Sequence, residues 1–241
     1  MSTIRTETIE YREGDDLFEG FIAWDAAHGP KRPGVLIAHD WAGLLEPSCT
    51  RAVRLAEMGY VGFALDAYGK GKRGTPGADN SELMNPLLAD RALLLRRLLA
   101  AADTLRARPA SDPSRIAAIG YCFGGLCVLD MARANAAGLL GAVCFHGLYS
   151  TPDLGDQKPI DAKILVCHGW EDPLTPPSAT LGLAKELTAA QADWQLHAYG
   201  HAMHAFTSLG ANAPAMGVKY DALADKRSFA AMEYFLAEVL G

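Results

Sequence analysis

The sequence predicts an α/β fold, with a mostly parallel central sheet and helices on both faces. Short continuous apolar runs such as Gly34-Val35-Leu36-Ile37-Ala38-His39 have the character of strands buried on both sides. Segments with helical spacing, ten residues or longer, separate these runs, and that alternation implies crossover connections between parallel strands. No Ser- or Pro-rich linker and no internal repeat divides the 241 residues, so one domain spanning residues 1–241 is expected.

Residues 8–12 and 17–24 read as strands, and Gly14-Asp15-Asp16 between them is turn chemistry, so a hairpin is expected first. Residues 34–39, following Pro33, form the first buried parallel strand. Helical spacing runs over 48–58 and stops at Gly59, and 60–65 is the next buried strand. Residues 68–77 are a Gly-rich basic loop carrying Lys70, Lys72 and Arg73. It lacks the Lys that a phosphate-binding P-loop needs before Thr75, and reads as a solvated surface loop. A long helix is predicted over 86–108, with Pro86 at its start and Pro109 beyond its end. Strand 115–120 runs into a helix over 123–137, followed by strands at 140–146 and 163–168, a helix at 178–190 and a last strand at 194–199. Residues 220–240 close the chain as an amphipathic helix with Leu223, Met232, Phe235, Leu236 and Val239 on one face.

Composition narrows the function. Half the residues are hydrophobic, enough for a sizeable core. A formal net charge of −6 argues against nucleic acid as a partner, which needs clustered cations against phosphates. The five cysteines, Cys49, Cys122, Cys127, Cys144 and Cys167, are odd in number and irregularly spaced, which suggests a reducing compartment and neither a disulfide framework nor a zinc ribbon. Met1-Ser2-Thr3-Ile4-Arg5 opens a polar stretch unlike a signal peptide, and no apolar run approaches the roughly 20 residues that span a bilayer. A cytoplasmic protein without a membrane partner is expected, as a monomer or homodimer.

In parallel sheets, sites form at the carboxyl ends of strands. Strand 115–120 leads into Gly120-Tyr121-Cys122-Phe123-Gly124-Gly125 and a helix begins at once, the G-x-nucleophile-x-G pattern of a sharp strand-to-helix turn. Residues two before and two after the nucleophile pass close together there, which favours Gly, and the helix N-terminus favours a thiolate. The competing reading is a tight turn with an inert Cys. For Cys127, Cys144 and Cys167, which lie within elements, a small buried hydrophobe is the expected role. A nucleophile of this kind is followed along the chain by an acid and then a His. Gly169-Trp170-Glu171-Asp172-Pro173 and Gly200-His201-Ala202-Met203-His204 follow strands in that order. Asp172 is assigned as the acid, because Pro173 stiffens its turn, and His204 as the base; Glu171 and His201 are the local rivals. His197, His201 and His204 do not imply a metal, since His197 lies within a strand and the others beyond a Gly turn.

These residues, with Ala38-His39-Asp40-Trp41-Ala42-Gly43, Leu65-Asp66-Ala67-Tyr68 and His204-Ala205-Phe206, resemble the dienelactone hydrolase family (carboxymethylenebutenolidase-like proteins) over nearly the whole span 34–240. The resemblance implies the α/β-hydrolase fold and hydrolysis of a small-molecule ester or lactone by a Cys122–His204–Asp172 triad, without cofactor or metal. On this fold the backbone N–H groups of Trp41 and Phe123 would form the oxyanion hole. Asp40 stands where the type enzyme has a Glu that helps activate the thiol, and Ser208 where it has an Arg for the substrate carboxylate. Arg91 lies in the region of a second such Arg. Asp40 is therefore expected either to tune the charge state of Cys122 or to fix its own loop. These departures count against dienelactone itself as substrate. Two other readings remain. A glutamine amidotransferase shares the elbow but places a carboxylate where Phe206 stands. A hydrolase scaffold that has lost catalysis would act as a thiol redox sensor or interaction protein.

Overall fold

The computed structural model describes residues 3–241; the leader reading at Met1 and Ser2 lies outside the described residues. The chain begins with the expected hairpin, β1 (Ile4–Glu13) and β2 (Asp16–Asp25), paired antiparallel. β3 (Arg32–Ala38), β4 (Val61–Ala64), β5 (Ser111–Tyr121), β6 (Leu139–Phe145), β7 (Lys163–Gly169) and β8 (Trp194–Tyr199) complete an eight-stranded sheet ordered β1-β2-β4-β3-β5-β6-β7-β8. β2 meets β4 antiparallel, and every pairing from β4 to β8 is parallel. This is the sheet of an α/β-hydrolase, and its order reverses between β4, β3 and β5, so the loops after β3 and β5 lie side by side.

Alternation along the strands builds two cores. On β3, Leu36 joins Phe18, Phe63, Leu94, Leu98 and Leu126 on one face, while Val35 and Ile37 join Leu55, Val143, Phe145 and Phe235 on the other. The first face is covered by α3 (Arg91–Arg106), α4 (Phe123–Arg133) and α5 (Pro177–Ala189). The second is covered by α1 (Glu46–Glu57) and α6 (Ala222–Leu240). None of the helices among the described residues is long and apolar enough to cross a membrane.

Three expectations are corrected. The long helix predicted over 86–108 is two helices, α2 (Ser81–Ala89) and α3, and Pro86 lies inside α2. Asp90 leaves the helical region (φ −122°, ψ 80°), and its carboxylate accepts the Leu93 N–H at 2.8 Å, capping α3. The helix over 123–137 ends at Arg133, because Asn135 (φ 49°) and Gly138 (φ 74°) reverse the chain. In α6, Leu223 is 62% exposed while Met232, Phe235 and Leu236 are buried. Nine residues at about 100° each place Leu223 half a turn from Met232, on the solvent face. The sequence also gave no sign of a short hairpin, β9 (Asn212–Ala213) and β10 (Val218–Lys219), between β8 and α6.

Candidate active site

β5 ends at Tyr121, and Cys122 adopts φ 55°, ψ −115° before α4 begins at Phe123. Such a φ strains a residue with a side chain, and the surroundings must hold it. A Cβ on Gly120 would strike the carbonyl of Gly124, and one on Gly124 would strike the carbonyl of Ala38 at the end of β3. The elbow can close only with glycine at both places. The Cys122 N–H donates to the Phe145 carbonyl at 3.0 Å, tying the elbow to β6.

The loop after β8 brings His204 to this sulfur. His204 Nε2 lies 3.1 Å from Cys122 Sγ, and its Nδ1 lies 2.7 Å from Asp172 Oδ2. Both partners are buried, His204 at 4% and Asp172 at 1% exposure. The other Asp172 oxygen accepts the Leu174 N–H at 2.8 Å, so both oxygens of the carboxylate are engaged. Burial alone would lower the His204 pKa. The negative charge of a Cys122 thiolate and the hydrogen bonds to Asp172 and Cys122 outweigh it and raise the value to about 10. The rivals take no part in this chain: His201 Nδ1 pairs with Glu171 Oε1 at 2.8 Å, and the His201 side chain is 93% exposed.

Trp41 lies on the loop after β3 and Phe123 directly follows Cys122 at the start of α4, and their backbone N–H groups have no acceptor among the described residues. Tyr68 braces both. Its hydroxyl donates to the Trp41 carbonyl at 3.0 Å, and its ring stacks on Phe123 with centroids 5.9 Å apart. Asp40 Oδ1 accepts the Ala42 N–H at 2.8 Å and the Asp40 carbonyl accepts the Gly43 N–H at 3.2 Å, so this residue folds the Trp41 turn.

Sequence reasoning passed over three histidines at strand ends. His146, after β6, is buried at φ 36° and meets the His204 ring edge-on at 5.2 Å. Its Nε2 bonds Thr207 Oγ1 at 2.8 Å. Burial first, then the positive charge of His204, holds His146 well below the usual imidazole range, as a neutral ring. His39 Nδ1 donates to the Asp40 carbonyl at 2.6 Å, and its Nε2 accepts the Ala67 N–H at 3.1 Å. His168 lies between the hydroxyls of Tyr149 and Thr180, each at 3.1 Å. The signal for all three was the last position of an apolar run, which is equally the signature of a satisfied core residue.

Arg91 is engaged by a buried carboxylate. Its Nε and Nη2 grip the buried Asp130 carboxylate at 2.7 and 2.6 Å, and Arg133 joins the two residues to Glu186. In the basic loop, Arg73 pairs with buried Asp66 at 3.2 Å and Lys70 pairs with Glu10. Ser208 is half-buried, and its N–H donates to the Ala205 carbonyl at 2.9 Å. All five cysteines are free, and burial raises the thiols of Cys144 and Cys167 to about 12 and that of Cys127 well above its usual value. No three His, Cys, Asp or Glu side chains among the described residues are grouped to hold a metal ion.

Comparison with known proteins gives a consistent picture. The dienelactone hydrolase family model matches residues 18–240. A dienelactone hydrolase-like promiscuous phosphotriesterase, P91, from metagenomic libraries is 35% identical, with 99% of each chain covered and a TM-score of 0.92. A "Putative carboxymethylenebutenolidase" of Yersinia pestis is 28% identical over 213 residues, 84% of this chain and 78% of that one. A dienelactone hydrolase from Anabaena variabilis, 18% identical, shares the fold over 99% of each chain with a TM-score of 0.68.

Proposed function

Because the chain belongs to the dienelactone hydrolase family, a family of ester and lactone hydrolases, we propose that it cleaves an uncharged ester or lactone through a covalent thioester on Cys122. The observation that carries this reading is the continuous chain Asp172–His204–Cys122, with hydrogen bonds of 2.7 and 3.1 Å.

The Cys122 thiolate attacks the substrate carbonyl carbon, a C–S bond forms, and the carbonyl electrons move to oxygen. The Trp41 and Phe123 N–H groups bind that oxyanion, supported by Tyr68 and by the turn Asp40 folds. As the tetrahedral carbon collapses, the C–O bond breaks and protonated His204 gives its proton to the leaving oxygen. Neutral His204 then takes a proton from water, whose oxygen attacks the thioester. The C–S bond breaks, the acid departs, and the thiolate–imidazolium pair is restored. Asp172 holds Nδ1 and the charge on the ring throughout. A lactone keeps its leaving oxygen on the acyl group, so a single hydroxy acid results. No step calls for a cofactor.

The preference for uncharged substrates rests on the arginines. Arg73 and Arg91 are committed to Asp66 and Asp130, and Ser208 supplies no charge. A panel of activated esters and lactones tests the reading, run beside Cys122→Ala and with mass analysis of the trapped acyl adduct. Turnover should vanish in the variant, and the adduct should map to Cys122. Turnover that persists without the thiol overturns the mechanism. Reversible peroxide modification of Cys122 with no turnover of any substrate would favour a redox sensor. The likeness to P91 supports a second activity, and a phosphotriester belongs in the same panel.

A further inference from the structure

The 212–219 hairpin touches both partners of the buried His–Asp pair. The His204 N–H donates to the Gly217 carbonyl at 2.9 Å, and the His204 carbonyl accepts the Lys219 N–H at 3.1 Å, a bridge centred on Val218. His204 is thus held by its backbone on both sides of its Cα. Gly217 itself adopts φ 71°, ψ 24°, the left-handed region. A Cβ there would collide with the ring of Pro173, which directly follows Asp172. Pro173 is not free to yield independently. The Asp172 carboxylate reaches across it to the Leu174 N–H at 2.8 Å, so the proline is the middle of the turn that aims Asp172.

We propose that Gly217 is a positioning residue. Its carbonyl sets the place of His204, and its bare Cα, pressed on the Pro173 ring, sets the place of Asp172, so one residue fixes the separation of acid and base. This rests on the proposal that the Asp172–His204 pair serves catalysis. A side chain at Gly217 displaces Pro173 and tilts the Asp172 carboxylate away from Nδ1, although neither reacting side chain has been altered.

The test is a cycle of Gly217→Ala, Pro173→Ala and the double variant, read in two ways. The first reading is kcat/KM for an activated acetate ester across pH. Displacement of an acting group by an ångström can cost about 100-fold, and a loss of that order is expected for Gly217→Ala. Pro173→Ala removes the ring that Gly217 presses on and should itself cost activity, though less than Gly217→Ala, and the double variant should be more active than Gly217→Ala because the obstructing ring is gone. The second reading is the His204 titration by NMR without substrate. It should move down from its raised value in Gly217→Ala and return toward it in the double variant. Normal activity and titration in Gly217→Ala would overturn the proposal. So would an equal loss with and without the Pro173 ring, which would indicate backbone strain alone. If Gly217→Ala does not fold, Gly217→Asn, which tolerates the left-handed region and carries the same Cβ, takes its place. A wild type that lacks esterase activity but shows these NMR shifts would refute the proposed function and leave the positioning role standing.

Discussion

His201 and Glu171 meet at 2.8 Å on the surface, one residue from Ala202 and one from Asp172 respectively, while the buried His204–Asp172 pair repeats the same residue chemistry beneath them. Sequence alone offered both pairs, and only the inner one reaches sulfur. His204→Ala should reduce ester kcat/KM by about 10²–10⁴-fold, the range for loss of a general acid–base group. His201→Ala should stay close to wild type, because its partner is an exposed surface carboxylate and such exposed pairs contribute little. Steady-state kinetics on both variants decides it, and a crippled His201→Ala would reverse the assignment.

Cysteine reactivity should be uneven. Cys122 is half-buried at a helix N-terminus, while Cys127, Cys144 and Cys167 are buried with thiols pushed upward by desolvation. Brief iodoacetamide treatment followed by peptide mapping should label Cys122 first. Cys49, half-buried with a raised thiol, should follow slowly.

The proton on His204 links stability to alkaline pH. Its folded value, about 10, lies above the unfolded value of about 6.5. The folded state therefore binds the proton more tightly. The stabilisation is complete below the unfolded value and is lost as pH rises through the folded one. Cys122→Ala removes both the thiolate charge and a hydrogen bond, so the NMR midpoint of His204 should fall and the alkaline loss of stability should flatten. A midpoint that stays put would leave Asp172 as the sole cause.

Asp40 separates charge from shape. Its Oδ1 holds the Ala42 N–H, a bond the amide oxygen of Asn can also make. If Asp40 serves by folding the Trp41 turn, Asp40→Asn keeps most activity, while Asp40→Ala loses up to about 10²-fold, as when one oxyanion donor is misplaced. That is the expected pattern in kcat. Equal losses in both variants would instead give the carboxylate charge a direct role in activating the thiol.

Asp130 should matter to stability more than to catalysis. Removing one partner of a buried ion pair costs about 3–5 kcal/mol, and Asp130→Ala strips Arg91 of its carboxylate and leaves Arg133 with Glu186 alone. Urea unfolding measures the cost. A variant as stable as wild type would show that the two arginines find other partners.

Much of this architecture was legible because the local signals agreed. Apolar runs marked β3 to β7, Gly14 the first turn, and the spacing of Gly120, Cys122 and Gly124 the elbow. What escaped notice depended on distant contacts. The break at Asp90 is a side-chain cap inside a strongly helical stretch, where propensity alone carries the helix onward. Leu223 is apolar, but a period of 3.6 residues puts it half a turn from Met232, in water. The 212–219 hairpin has two residues per strand, too few for any alternation, and forms around the backbone of His204. His146 was hidden because a histidine ending an apolar run is the same word whether it packs or acts.

The pairing of Arg73 and Arg91 with buried carboxylates also has a kinetic meaning. With those cations neutralised and a formal net charge of −6, the long-range field around the molecule offers no attraction to an anion. An uncharged ester arrives by unassisted diffusion, and its kcat/KM should be flat across ionic strength. An ester bearing a free carboxylate meets net repulsion, so its kcat/KM should climb as added salt shortens the Debye length.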